Sequence, residues 1–391
     1  MTIVVTGGGS GGHITPILAV ASELKKLNPQ IRIVYIGQHG ESLLDIPTND
    51  PNIDEVLTVW AGKFRRYNGE GWKQLFDIPT QLKNIRDGGR VVVGIWQSFW
   101  LLRRLQPSAI LTRGGFVSVP VAFGAVLNHI PFVTHDSDSV PSLANRIIAR
   151  WASLHAVALP EEIYPYPRAK TTMVGIPLSG NHAVVTPKLR AQYRQELELA
   201  DAKQVLLITG GGNGADQLNH VVVANAAYLL KRYPGLVLLH FAGRSLEESV
   251  GSAYDDVLPR ADRQRVRVLG FVSDFYRYSG AADIIIARGG ATNLAEFAIQ
   301  QKPCIIVPAA QLVGDHQTKN AQALAAAHAI IMLDEAQSEQ DRRLAHTVSE
   351  LLDDSAKCRQ LSQNLANFAR PDAAKQLAVL LLEQAKPQNK E

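Results

Sequence analysis

Short runs of β-branched and aliphatic residues alternate along this chain with longer stretches whose apolar positions recur every three or four residues. Ile3–Thr6 is one such run; it leads into glycines, and Ile14–Leu27 then carries the helical period. Ile31–Ile36, Ala109–Thr112 and Phe132–Thr134 read as further strands, each followed by glycines or polar residues. Strand, loop and helix in turn predict βαβ units and a parallel sheet. The right-handed crossover rule then gives a Rossmann-like layering. The pattern restarts at Gln204–Thr209. A second glycine-rich loop, Gly210–Ala215, leads to a helix from Gln217 to Arg232 and to strands at Leu236–Phe241, Val266–Leu269, Ile284–Ala287 and Cys304–Val307. The expected fold class is therefore α/β: two Rossmann-like halves with parallel sheets facing across a cleft that takes the ligand. The changeover is placed in the proline-containing stretch from Tyr164 to Pro187, and the tail from Asp334 is helical in pattern with a frayed, polar end.

One stretch breaks the alternation. Trp60 to Pro107 holds Trp72, Phe76, Trp96, Phe99 and Trp100 among Lys63, Arg65, Arg66, Lys73, Lys83, Arg86, Arg90, Arg103 and Arg104, opposed only by Glu70, Asp77 and Asp87. Two readings stand: helices packed by their aromatic face with the basic residues solvated, or a surface for anionic lipid headgroups with aromatics entering the interface.

Composition narrows the class. With 391 residues, 46% of them hydrophobic, the chain can bury sizeable cores. A net charge of +4 is too mild for a dedicated nucleic-acid binder, so no nucleic-acid partner is expected. Cys304 and Cys358 cannot make a disulfide framework, and Cys304, in an apolar run, reads as a buried strand residue suited to a reducing compartment. The N-terminus lacks the basic region and cleavage site of a signal peptide. No stretch of about 18 residues is cleanly apolar. A cytoplasmic protein is expected, with contact at a membrane surface left open.

The candidate chemistry gathers at the glycine loops. Gly7-Gly-Gly-Ser10-Gly11-Gly12-His13 follows a strand and opens a helix. Glycines admit a ligand close to the backbone, and a helix N-terminus favours anions. No Gly-Lys-Ser/Thr follows, so this is not a P-loop, and no acidic residue closes the second strand as a dinucleotide site would require. His13, in the first turn, is disfavoured in its charged form by the helix end, which suits a general base; a packing histidine is the plainer alternative. In the second half, Arg288-Gly-Gly-Ala291 precedes Thr292-Asn293-Leu294-Ala295-Glu296. Backbone amides at that helix start suit a phosphate, and Glu296, one turn in, suits two sugar hydroxyls. Asp315-His316-Gln317-Thr-Lys-Asn320 offers matched donors and acceptors for a sugar, alongside ordinary N-capping by Asp315. No His/Cys/Asp cluster has metal-ligand spacing.

Taken together, Gly-Gly-x-Gly-Gly-His13, Arg113-Gly-Gly-Phe-Val-Ser-Val-Pro120, His135-Asp-Ser-Asp138-x-x-Pro-x-Leu-Ala-Asn145, the Arg288–Glu296 run and Asp-His-Gln-x-x-Asn-Ala resemble the family 28 glycosyltransferases of the GT-B fold, in order and spacing over residues 1 to 335. Lys63-Phe-Arg-Arg-Tyr67 is similar to a stretch of the members that act in peptidoglycan synthesis. The resemblance implies an inverting transfer of N-acetylglucosamine from UDP-N-acetylglucosamine to undecaprenyl-diphosphate-linked N-acetylmuramoyl-pentapeptide (lipid I), with no cofactor and no metal. It implies an acceptor and membrane-facing domain over residues 1–172, a donor domain over 173–370 and a C-terminal helix over 371–391 that packs back on the first. The acceptor diphosphate would sit near Ser10, Gly11, Gly12 and His13, with His13 the first candidate base and Asp138 the second. On the donor side, Val272 would contact uracil, Ala291 to Ala295 the diphosphate, Glu296 the ribose, and His316 and Gln317 the sugar hydroxyls. Ser179, Gly212 and Asn213 stand at further donor positions.

Four departures from the family pattern bear on activity. Asp138 stands where asparagine is frequent, Ser179 replaces a usual arginine, Gly212-Asn213 replaces Ser-Gln, and Phe116 replaces a tyrosine. Another family 28 lipid transferase, such as a diacylglycerol glucosyltransferase, or a nucleotide-sugar-binding homologue without catalysis, are the alternatives. The resemblance also implies a peripheral place on the cytoplasmic face of the cell membrane, against anionic lipids.

Overall fold

The computed structural model describes residues 1–8, 11–41, 43–63, 77–212, 214–309, 315–339 and 342–386. They form two compact units. The first comprises Met1–Gly180 together with Arg370–Glu391, and the second is Asn181–Ala369.

In the first unit the described strands are β1 (Thr2–Thr6), β2 (Arg32–Gln38), β3 (Glu55–Val59), β4 (Ala109–Thr112), β5 (Phe132–Asp136), β6 (Leu154–Val157) and β7 (Thr171–Met173). They lie in one sheet in the order β3-β2-β1-β4-β5-β6-β7, every pairing parallel. Parallel strands covered on both faces read as unbroken apolar runs. β1 and β4 do so: Ile3, Val4, Val5, Ile110 and Leu111 are fully buried. Register follows, with Val4 beside Val34 on one side and Ile110 on the other. One face of the sheet packs on the helix Gly11–Leu27 through Ile17, Val20, Ala21 and Leu24, and on Leu377, Ala378 and Leu381 of the helix Ala373–Gln384. The other face packs on Val117, Val121, Ala122 and Ala125.

In the second unit β8 (Gln204–Thr209), β9 (Leu236–Phe241), β10 (Val266–Leu269), β11 (Ile284–Ala287), β12 (Cys304–Ile306) and β13 (Ile331–Met332) form a parallel sheet in the order β10-β9-β8-β11-β12-β13. Cys304 is fully buried in β12, and burial pushes its thiol well up. The helix Asp216–Arg232 packs on this sheet through Leu218, Val222, Ala226 and Leu230. Two α/β units with parallel sheets are what the hydrophobic alternation predicts. The first helix starts three residues earlier than its apolar period suggests, at Gly11, which places His13 inside its first turn.

In both sheets the strand order reverses beside the first strand of the unit: between β1 and β4, and between β8 and β11. At such a reversal the crossover helices leave on opposite faces, so the carboxyl ends of the two strands open onto a crevice. Those ends carry Gly7, Gly8 and Arg113–Gly115 in the first unit, and Gly210–Gly212 and Arg288–Gly290 in the second.

Candidate active site

The first crevice is built by glycines that bring backbones together. Gly115 has φ +79°, and a Cβ there would lie 2.5 Å from the Gly8 carbonyl oxygen. A side chain is excluded on both counts, so the loops after β1 and β4 touch. The Tyr35 hydroxyl, from β2, donates to the Gly7 carbonyl. This contact holds the end of β1 from its other side.

His13 lies at the start of its helix and is half-buried. Its Nδ1 is 2.9 Å from the Arg113 carbonyl oxygen. A carbonyl only accepts, so Nδ1 carries the proton and Nε2 is the bare lone pair. Burial lowers the His13 pKa, the charge of Arg113 lowers it further, and Asp138 pulls it partly back. A neutral imidazole with Nε2 unprotonated is the form a general base needs.

Arg113 is 3% exposed. Its guanidinium reaches His135 Nδ1 at 2.6 Å and the Gly12 carbonyl at 3.0 Å. His135 Nε2 in turn donates to the Gly175 carbonyl at 2.8 Å. Arginine has no acceptor, so His135 must be neutral with its proton on Nε2. Burial drives its pKa well below the ordinary histidine value. Asp136 accepts from Tyr166 Oη at 2.7 Å, Asn145 Nδ2 at 2.9 Å and the Ser142 amide at 3.1 Å. Burial still raises its pKa, the three donors acting against that. Asp138 is half-buried, and its carbonyl accepts from Tyr164 Oη at 3.1 Å. The motif around His135 is thus mostly scaffold, and Asp138 is its member whose charge reaches His13.

In the second unit, the helix Ala291–Gln300 begins after Gly290 with no side-chain cap and no acidic residue in its first turn. The Leu294 amide already donates to the Gly290 carbonyl at 3.1 Å. The amides of Ala291, Thr292 and Asn293 therefore begin the turn, while those of Leu294 and Ala295 sit deeper in the ladder. Glu296 is one turn in and half-buried, and burial pushes its carboxyl up to about 8. His182 Nε2 lies 3.7 Å from Glu296 Oε1, a neighbour that sequence reasoning did not single out.

Gln317 Oε1 accepts from the Ala309 amide at 3.1 Å, which leaves the NH2 of its side chain as a donor. Asn320 Nδ2 donates to the Gly289 carbonyl at 3.2 Å, pinning the β11 loop to the helix His316–Ala326. His316 is half-buried at the first position of that helix. Asp315 holds the N-cap position with φ 51° but makes no side-chain cap, so the capping expected of it is absent. Gly212 stands beside the Phe271 ring, over which Arg244 stacks at 4.2 Å, and Val272 follows, half-buried. Ser179 is exposed and belongs to the first unit, whereas the other donor-side residues belong to the second. Ser10 and Asn213 lie outside the described residues, as do Trp72, Phe76, Arg65 and Arg66. Among the described residues no group of three His, Cys, Asp or Glu side chains is placed to hold a metal ion.

Residues 3–157 match the glycosyltransferase family 28 N-terminal domain, and residues 205–377 the family's C-terminal domain. The chain is a family 28 glycosyltransferase. Curated relatives run its full length. One, from Natranaerobius thermophilus, is 28% identical over 97% of this chain and 99% of its own. Another, from Leuconostoc mesenteroides, is 29% identical over 98% and 99%. Both are named UDP-N-acetylglucosamine--N-acetylmuramyl-(pentapeptide) pyrophosphoryl-undecaprenol N-acetylglucosamine transferase. Among solved structures, MurG of Acinetobacter baumannii superposes with a TM-score of 0.69 at 21% identity, covering 98% of this chain and 99% of that one. A UDP-N-acetylglucosamine 2-epimerase from Neisseria meningitidis, bound to UDP-N-acetylglucosamine, gives 0.67 at 15% identity over 98% and 100%. Transferase and epimerase share the fold, so the fold alone does not choose the reaction.

Proposed function

We propose that this protein is a MurG-type transferase, moving N-acetylglucosamine from UDP-N-acetylglucosamine to the muramyl hydroxyl of undecaprenyl-diphosphate-linked N-acetylmuramoyl-pentapeptide. His13 is the observation that carries the reading: an imidazole held neutral, with its proton fixed on Nδ1 and Nε2 unprotonated. The names of its full-length relatives supply the substrates. In the proposed reaction the acceptor O–H bond breaks as Nε2 takes the proton. The oxygen lone pair forms the new bond to the anomeric carbon, the bond to UDP breaks with its electron pair, and the configuration inverts. Asp138 favours the imidazolium that forms. The uncapped start of the Ala291–Gln300 helix stabilises the departing diphosphate. Glu296 accepts from the ribose hydroxyls, and Gln317 donates to the sugar.

The acceptor is a lipid, and the helix Ile78–Leu105 suits a membrane surface. It buries Asp87, Ser98 and Leu102, while Leu82, Ile85, Val92, Val93, Trp96 and Trp100 are 49–71% exposed. At 3.6 residues per turn these positions fall within an arc of about 100° on the helix, so they form one stripe. Lys83, Arg86, Arg103 and Arg104 are exposed on the same helix. An apolar stripe edged by cations fits a monotopic contact with anionic lipids, and we place the protein peripherally on the cytoplasmic face of the cell membrane. Among the described residues no helix is long and apolar enough to cross a membrane.

The test is transfer of labelled N-acetylglucosamine from UDP-N-acetylglucosamine to a short-chain lipid I analogue, with UDP-glucose and diacylglycerol run in parallel. Transfer to the lipid I analogue alone is the expected result. Transfer of glucose to diacylglycerol, or saturable UDP-N-acetylglucosamine binding without turnover, would overturn it.

A further inference from the structure

We infer that Arg113 is a positioning residue for the His13 base, tying the start of the Gly11–Leu27 helix, the His13 ring and the His135 ring into one constellation at the β1–β4 reversal. The inference rests on the reading of His13 as the base. Arg113 makes three contacts in and around that base. Its carbonyl accepts a hydrogen bond from His13 Nδ1–H at 2.9 Å, its guanidinium donates to the Gly12 carbonyl, one residue before the base, at 3.0 Å, and the same guanidinium donates to His135 Nδ1 at 2.6 Å. Its own amide is anchored on the Thr6 carbonyl at 3.0 Å, the last residue of β1. One residue at the end of β4 therefore sets the tautomer of the base, the position of the turn that bears it and the tautomer of the histidine behind it.

Charge adds a second effect. The charged and titratable groups around His13 are Arg113 from the end of β4, His135, Asp136 and Asp138 from the end of β5, and Glu41 and Tyr35 from β2 and its loop, beside Gly8 and Gly7. Arg113 disfavours a second positive charge on His13, and Asp138 favours it. Burial pulls the guanidinium itself down to about 10, with Asp138 and Asp136 opposing that, so it stays charged throughout the neutral range. A base flanked by one cation and one anion can take a proton from the acceptor and release it again between turnovers. A merely structural arginine would hold the loops together without setting the protonation of His13.

The test uses the full-length chain. Labelled histidines are titrated by NMR in wild type, Arg113→Gln and Arg113→Lys, with His13 assigned from the His13→Gln spectrum. The pH–rate profile with UDP-N-acetylglucosamine and a short-chain lipid I analogue is recorded alongside. In Arg113→Gln the His13 midpoint should rise and the acid limb of kcat/KM should rise with it. The rate loss at pH 6 then exceeds that at pH 8.5 by roughly fivefold. Arg113→Lys keeps the charge and should restore the midpoint, with kcat still reduced and KM for the donor unchanged. A His13 midpoint that stays put in Arg113→Gln, or one that moves while the acid limb does not, overturns the inference. If Arg113→Gln does not fold, Arg113→Lys decides through His135. A lysine cannot span both acceptors, so the nitrogen shifts of His135 should lose their single-tautomer pattern, and an unchanged pattern overturns the inference. If wild type transfers no sugar, the reading of the reaction fails by itself, and the His13 midpoint still decides what Arg113 does to that ring.

Discussion

The two units share a plan and differ in what they place at the strand reversal. In each, a strand, a glycine loop and a helix lead into a parallel sheet, preceded in the second unit by the helix Pro187–Glu196. In the first unit the crevice is backed by buried ionisable groups, Arg113, His135 and Asp136, and the Arg113 carbonyl holds one imidazole, His13, in one tautomer. In the second it is a helix start without a cap or an acidic side chain, with a high-pKa carboxyl one turn in. The first arrangement suits moving a proton, the second suits receiving an anion. Their helices differ as well. Asp216–Arg232 buries Leu218, Val221, Val222, Leu229 and Leu230, as an ordinary amphipathic helix does. Ile78–Leu105 is inverted. Gly94 packs so closely on the Trp60 carbonyl that a Cβ would collide, Ser98 lies against Gly124, and the tryptophans Trp96 and Trp100 face out. Small residues bring this helix down onto its neighbours, and the large apolar residues are left exposed. The same fold therefore carries two different surfaces and two different chemistries, chosen by a few residues at loop and helix-face positions.

The comparison breaks most severely at His13. His13→Ala should lower kcat by about 10² to 10⁴, the usual contribution of a general base, while UDP binding by calorimetry stays within about twofold. Equal losses in both would mean that the base and the anion site are not separate functions. Next in size is the inverted helix. Trp96→Glu with Trp100→Glu should reduce partition onto anionic vesicles by about tenfold or more in a flotation assay, while turnover of a water-soluble acceptor analogue persists. Undiminished partition would return this helix to ordinary packing.

A smaller effect sharpens the second unit. A carboxylate accepts from two hydroxyls where a carboxylic acid does not. Glu296, at about 8, must therefore lose a proton when the nucleotide binds below that pH. UDP affinity should rise from pH 6 to about 8 and then level, and Glu296→Gln should flatten that slope with a loss of about tenfold or less. His182 faces the same carboxyl, so His182→Asn separates its titration from that of Glu296. The smallest effect concerns stability. Burial holds His155 at about 4 and His240 at about 3, against 6.5 in an unfolded chain. Below pH 6.5 the unfolded chain takes up protons that the folded one refuses, so stability is lost as pH falls towards 4 and 3. A melting temperature at pH 4.5 no lower than at pH 7 would contradict that burial.

Much of this was legible in the residues. Ala109–Thr112, Gln204–Thr209, Leu236–Phe241, Val266–Leu269 and Ile284–Ala287 are strands with the bounds their apolar runs give. Those lying beside or near a reversal are central and covered on both faces, which is what an unbroken run records. Glu55–Val59, Leu154–Val157, Thr171–Met173 and Ile331–Met332 were not legible: the first, third and fourth lie at sheet edges and are half-exposed, and Leu154–Val157 is a four-residue run interrupted by His155. His13, Glu296 and Gln317 could be found because they sit at fixed offsets from a glycine turn. Arg113 was visible only as part of a motif. Its partners lie 101 residues before it and 22 after it, and only the sheet brings them together. The proximity of His182 to Glu296 is likewise a property of the fold rather than of local pattern.

The last helix, Ala373–Gln384, adds a consequence for how the chain is made. It lies in the core of the first unit, with Leu377, Ala378 and Leu381 packed among Ile3, Val20 and Leu24. The second unit is one uninterrupted segment, Asn181–Ala369, whereas the first is closed by residues from both ends of the chain. A ribosome thus releases every residue of the second unit before it releases the Ala373–Gln384 helix of the unit that bears His13. Until then the hydrophobic bed for that helix, on β4, β5 and the Gly11–Leu27 helix, stays bare. The unit that bears His13 is therefore completed after the other, although β1 to β7 precede that other unit in the chain.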